Sequence, residues 1–298
     1  MKRLDLETWT ALADCHKAQA EEWTRPYRQR SATGQIHPVH DFLFIYYRNP
    51  PSQLEVWHPG PEYILESNGP DARFSDKHYT RCADAIRLDP SKMDAATRHR
   101  MNMALTLCLA VEKRPARFGC FGMHEWAMVY HGNEEGEVRH REKLPLRLRQ
   151  EQVDAFVRSR PINCSHFDAF RFFTPSAKSF NRIQPNKHTR IENEQCGCLH
   201  TNMDLYKLAA QCMPWVGSKI LWQCFELAAA ARVLDMEASP YDCRSLGLSS
   251  VPVETEDGRR LYEERQRALT DRAQPIRTDL IHSLRLVLNP VDIKTIEI

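Results

Sequence analysis

No stretch of the 298 residues comes near the ~18 consecutive apolar residues that a membrane-spanning helix needs, the longest candidate being the short run around Ala104 to Val111. The first residues, Met1 to Trp9, carry Lys2, Arg3, Asp5 and Glu7 and lack the apolar core of a secretion signal. Paired CxxC motifs are missing, so the cysteines offer no ready four-ligand zinc site. Glycine is scarce at 11 residues and proline stands at 18, which excludes collagen-like and low-complexity chains. No internal repeat is visible. Together these absences lead us to expect a soluble, cytoplasmic globular protein with reduced thiols and no membrane partner.

Net charge is also low, at +2, but it is unevenly placed. Between Ser91 and Arg190 there are 18 Lys and Arg against 10 Asp and Glu, a surplus of +8, so the remainder of the chain carries −6. A basic middle third points to a polyanionic partner, or to solvated helix faces of an ordinary enzyme. Two stretches concentrate it. One is Arg139 to Arg149, and the other is Lys178 to Arg190, where Lys178, Arg182, Lys187 and Arg190 occur without a single Asp or Glu. Interleaved with Ser179, Asn181, Asn186 and Thr189, they are the residue types that contact backbone phosphates.

Hydrophobic spacing predicts a mainly α-helical, α+β chain with a few short strands. Leu6, Trp9, Leu12, Ala13 and His16 mark an N-terminal helix that should end near Pro26. A helix follows Pro90 and Ser91 through Val111, and others are expected at Gln150 to Val157, Thr201 to Cys212, Ser218 to Asp235 and, punctuated by Pro275, Asp257 to Leu288. Ile162 to Phe173 is the best strand candidate, and Thr174 to Gln195 reads as a long loop. The chain reads as one domain, residues 1–298, with a division into 1–160 and 161–298 as the alternative.

Most of the ten cysteines sit singly in apolar runs, where they act as small hydrophobes; the exception is Cys196-Gly-Cys198-Leu-His200. It lies in the most unusual stretch of the chain, His166 to Asp204. Here His166, Asp168, Arg171, Asn181, Arg190, Glu194, His200 and Asp204 alternate with Phe167, Phe170, Phe172 and Phe173. Polar groups among so many aromatics are costly to bury unless paired. On a strand His166 and Asp168 would share a face, and on a helix His200 and Asp204 would. Three readings stay open: a divalent metal held by His166, Asp168, His200 and Asp204; metal-free hydrolysis assisted by a carboxylate; or a buried network in which Arg171 pairs with Asp168 or Glu194. His124-Glu125-Trp126 lacks the His four residues on that a helical zinc motif requires, so it reads as a core helix or as a pocket acid beside an aromatic wall.

The segments Phe118 to Tyr130, His166 to Phe173, Glu194 to His200 and Asp235 to Asp242 resemble those of a bacterial, largely actinobacterial family that carries the name 3-methyladenine DNA glycosylase. Met213-Pro-Trp-Val-Gly217, with Asp235 or Glu237 about twenty residues on, is also similar to the helix-hairpin-helix glycosylase hairpin, although Trp215 replaces its first glycine. The resemblance implies a hydrolase that excises a damaged base from duplex DNA, without a cofactor. On that reading Asp168 or Glu194 is the key carboxylate, with Asp204 beside them and His166 and His200 as orienting groups. Arg171, Lys178, Arg182, Lys187 and Arg190 contact DNA, and Trp126, Phe170 or Phe172 stacks on the base. The rivals are a metal-dependent enzyme acting on a small anionic metabolite through the His/Asp cluster, and a non-catalytic DNA-binding helical protein.

Overall fold

The computed structural model describes residues 1–69, 71–132 and 144–289, so part of the basic stretch Arg139 to Arg149 lies outside the described residues. Among them the chain is mainly helical, with one small sheet. Its elements run β1 (Lys2–Leu4), α1 (Leu6–Ala32), α2 (Phe42–Tyr46), α3 (Pro51–Glu55), β2 (Tyr63–Glu66), β3 (Tyr79–Cys82), β4 (Ala85–Leu88) and α4 (Ala95–Lys113). They continue with α5 (Met123–Ala127), α6 (Gln150–Arg158), α7 (Phe167–Phe170), α8 (Arg190–Asn193), α9 (Leu199–Gln211), α10 (Ser218–Glu237) and α11 (Glu256–Leu288). No described helix is long and apolar enough to cross a membrane.

Two compact units can be distinguished. The first comprises Met1–Leu109, Leu205–Glu226 and the described chain from Pro275 onward; the second comprises Ala110–Asp204 and Leu227–Gln274. Neither is a continuous stretch of sequence.

The first unit holds the sheet, ordered β1-β2-β4-β3, in which only the β1 to β2 pairing is parallel. Asp5 caps α1 by accepting the Thr8 N–H at 2.7 Å. Contrary to expectation, Pro26 does not end this helix, which runs on to Ala32. The proline removes one N–H, but Glu55 accepts hydrogen bonds from Thr24 and Arg28, one on each side of it. Packing therefore supplies what the backbone loses. Trp9 stacks on Trp57 and meets Phe74 edge-on, and Trp23, Phe44, Tyr206 and Trp222 surround Phe225.

His58 lies on this sheet side, its Nδ1 2.8 Å from the Tyr79 hydroxyl. Burial, helped by His78 and His16, pushes its pKa down to about 4. A histidine depressed in the folded state contributes its full stability above the unfolded value of ~6.5 and loses it as pH falls toward the folded value. Discounted for the ring's remaining solvent contact, this loss is worth roughly 2 kcal/mol. Urea titrations at pH 7 and pH 4.5 should show it, and His58→Gln should flatten the difference. An unchanged slope in that variant would rule His58 out as its source.

The second unit corrects the strand expected at Ile162 to Phe173. Ile162 makes only an isolated bridge to Asn181, and α7 starts at Phe167. The Asn181 side chain takes both the N–H and the carbonyl of Cys164, at 2.8 and 2.9 Å, in place of a neighbouring strand. His166 then caps α7, its Nδ1 accepting the Ala169 N–H at 3.3 Å. The stretch from Thr174 to Gln195, expected as a loop, contains a 3-10 helix at Ser176–Phe180 and the short α8. The Arg114 guanidinium pins its end by donating to the carbonyls of Ile191 and Glu194.

Candidate functional site

Both ends of the site are built in the second unit. Phe121 and Gly122, at φ of 45° and 67°, turn the chain sharply into α5, which carries His124 and Glu125. A non-glycine residue held at positive φ is the kind of local strain that functional sites retain. On α10, Arg232 and Asp235 lie one turn apart on the same buried face. From α9, His200 and Asp204 also stand one turn apart, as the sequence anticipates.

These side chains form two neighbouring triads. In the inner one, ligand-type atoms of His124, His200 and Asp235 all lie within 4.8 Å of one another. His124 Nε2 is 3.2 Å from Asp235 Oδ1, and His200 Nε2 is 3.7 Å from Asp235 Oδ2. The first pair is close but misaligned, so both His124 Nε2 and Asp235 Oδ1 are buried without a hydrogen-bond partner. Arg232 Nη1 donates to Asp235 Oδ2 at 2.7 Å and to Glu125 Oε1 at 3.0 Å. In the outer triad, His166 Nε2 lies 3.2 Å from Asp204 Oδ2 and 3.9 Å from Glu194 Oε1. Arg190 clamps the same carboxylates, Nε reaching Glu194 Oε1 at 2.6 Å and Nη2 reaching Asp204 Oδ2 at 2.9 Å. The His200 ring lies against both triads, its centroid 4.2 Å from that of His124 and 5.6 Å from that of His166.

Charge follows from this geometry. Burial opposes a charge on His124, but Asp235 and Glu125 outweigh it and lift the pKa to about 10. Burial and the adjacent His124 push His200 down to about 3, which leaves it a neutral nitrogen donor. Against its own burial, the Asp235 carboxyl is held far below the usual range by His124 and His200. At His166 burial again opposes the charge, and Glu194 and Asp204 prevail to raise the pKa. Its Nδ1 nevertheless accepts the Ala169 N–H, so protonation there would cost the α7 cap.

A narrow pocket opens on the inner triad, lined by His124 and His200 together with Cys120, Cys164, Cys198 and Tyr262. His200 alone of the inner triad keeps appreciable exposure, at 16 % of its side chain.

Of the residues expected at the site, the structure brings His166, Glu194, Asp204, Arg190 and His200 together. Asp168 instead pairs with Arg171 at 3.1 Å. Arg171 itself is exposed and lies over the Phe172 ring, 4.2 Å from its centroid. Lys178, Arg182 and Lys187 are exposed on the segment that leads to Arg190. Trp126 is fully buried, between Phe156 at 4.7 Å and the Arg147 guanidinium at 5.1 Å, with Nε1 donating to the Ala238 carbonyl at 2.9 Å. Phe170 is buried against Phe173. The Cys196-Gly-Cys198-Leu-His200 cluster does not act as one unit: Cys198 and His200 line the pocket, whereas the Cys196 thiol donates to the Arg114 carbonyl. Sequence reasoning missed His124 as a site residue and named Asp235 only beside the hairpin-like Met213 to Gly217. The signal available was His124-Glu125 beside the left-handed Phe121-Gly122 turn, which the fold brings together with His200 of α9 and Asp235 of α10.

Compared with models of protein families, with curated proteins and with solved structures, the chain matches none.

Proposed function

We propose that the protein is a metal-dependent enzyme acting on a small anionic substrate, with His124, His200 and Asp235 holding a divalent transition-metal ion. The observation that carries this reading is the pair His124 Nε2 and Asp235 Oδ1, buried, 3.2 Å apart and each without a hydrogen-bond partner. The two atoms attract as an ion pair but are not aligned for a hydrogen bond, and an ion shared between them would satisfy both. An ion about 2.1 Å from each ligand in a tetrahedron holds them about 3.4 Å apart. Two imidazoles and one carboxylate suit iron or zinc and leave coordination positions free. Such an ion would supply Lewis acidity at the mouth of the pocket.

The chain's own residues do the rest. Arg232 donates to Asp235 and is itself held by Glu125, as partners of metal-binding carboxylates are. With both histidines neutral, Glu125 and Asp235 set against Arg232 and a divalent ion leave the inner site with one net positive charge, which favours an anionic ligand. Base excision, implied by the resemblance, is less well supported. It asks for a carboxylate open to a flipped base, whereas Arg190 engages both Glu194 and Asp204, which are buried.

Metal analysis of the purified protein tests the proposal. About one iron, zinc or manganese per chain is expected, and it should be lost in His200→Ala. A protein that retains no stoichiometric ion after reconstitution with each of these metals, yet releases base from alkylated duplex DNA, would overturn it in favour of glycosidic hydrolysis.

A further inference from the structure

One buried group at the pocket is left unexplained by the metal ligands and by the ion pairs behind them. Tyr262, on α11, is fully buried, lines the same pocket as His124 and His200, and its hydroxyl has no well-formed hydrogen bond, only a weak contact with the Cys120 thiol. A phenol normally finds a partner when it is buried, because the hydroxyl otherwise loses its hydration without return. The ring is held in place. It packs beside the start of α5, where a Cβ built on Gly122 would lie in ordinary contact with Tyr262 Cε2 at 3.5 Å. Phe121 packs edge-on against it, with centroids 6.4 Å apart. A buried, packed phenol therefore lines the same pocket as His124 and His200.

We propose that the Tyr262 hydroxyl is the hydrogen-bond donor of a small-anion subsite at the His124, His200 and Asp235 centre, so that the group bound there is a compact anion with an exposed acceptor, such as the carboxylate end of a substrate. This rests on the metal reading above and deepens it by naming the residue that donates to the anion. The phenol is suited to donate. Burial, reinforced by Cys120, holds its pKa well above the ordinary value, so it keeps its proton beside an anion. The Cys198 thiol on the pocket wall is a weak donor by comparison. The net positive charge of the occupied inner site works in the same direction.

The experiment uses the full chain loaded with cobalt(II), whose absorption spectrum reports its ligands, and azide as the anionic probe. Tyr262→Phe should weaken azide binding by about 10-fold or more, the effect of losing a hydrogen bond to a charged acceptor. Cobalt affinity should stay within about 2-fold, and Tm should be unchanged or higher, because the hydroxyl removed has no well-formed hydrogen bond in the fold. Equal azide affinity in the two proteins would overturn the subsite and leave the metal reading standing. A parallel loss of cobalt affinity, or a lower Tm, would make the hydroxyl a structural group and overturn it as well. Failure of the wild-type chain to take up stoichiometric cobalt would overturn the metal reading and the subsite with it.

Discussion

Replacing Arg232 by Met is expected to cost about 3–5 kcal/mol of folding stability, the effect of leaving a buried charge without its partner. Its guanidinium, on α10, bridges Glu125 and Asp235, and all three side chains are buried. The hydrophobic replacement fills the space but leaves two carboxylates facing each other in a low-dielectric interior. The sign of the pH dependence follows. Without Arg232 the folded pKa values of these carboxyls rise relative to the wild type, although His124 still opposes the rise, so the penalty is full at neutral pH and shrinks as pH falls toward ~4, where the carboxyls can be protonated. Urea titrations of the wild type and Arg232→Met at pH 7 and pH 5 measure this directly, and Arg232→Met/Glu125→Gln should recover part of the loss. A difference below about 1 kcal/mol at pH 7 would mean that the two carboxylates are stabilised by something other than Arg232.

Arg190→Met should lose about 3 kcal/mol, while Lys178→Ala and Lys187→Ala should stay within about 0.5 kcal/mol. All three cations belong to the same basic stretch, and composition alone treats them as equivalent phosphate contacts. The structure separates them. Lys178 and Lys187 are exposed, whereas Arg190 has only 22 % of its side chain exposed and neutralises Glu194 and Asp204, which are 0 % and 2 % exposed. Its charge is spent inside the protein. Thermal or urea unfolding of the three variants, together with salt-dependent DNA binding, distinguishes the two roles. A stable Arg190→Met protein with weakened DNA affinity would make Arg190 a surface anion contact.

Periodicity located the long helices well, because α4, α9, α10 and α11 bury apolar stripes whose spacing is written in the chain. It failed where a side chain replaced a backbone partner. Glu55 carries α1 past Pro26, and Asn181 and His166 convert an apparent strand into a capped turn of helix. Period-two alternation in Phe167 to Phe173 does not reveal that exchange. The site was half legible. His166, Glu194, His200 and Asp204 were conspicuous because polar groups among aromatics need partners; His166, Glu194 and Asp204 find theirs in one another and Arg190, and His200 in Asp235. Asp168 satisfied the same local pattern but is claimed by Arg171 one turn away.

The amino-acid sequence by itself determined a mainly helical chain, its principal helices, the basic middle third and a concentration of acid and imidazole groups between His166 and Asp204. These are properties of neighbours along the chain, set by helical period and by the cost of burying polar groups. Tertiary structure decided which of those groups meet. His124 comes from a five-residue helix entered through a left-handed turn, His200 from α9 and Asp235 from α10, and no local spacing relates the three. Packing also divided the cations, turning Arg190 and Arg232 inward to hold buried carboxylates while Lys178 and Lys187 stay in water, because a charge can leave solvent only where an opposite charge awaits it.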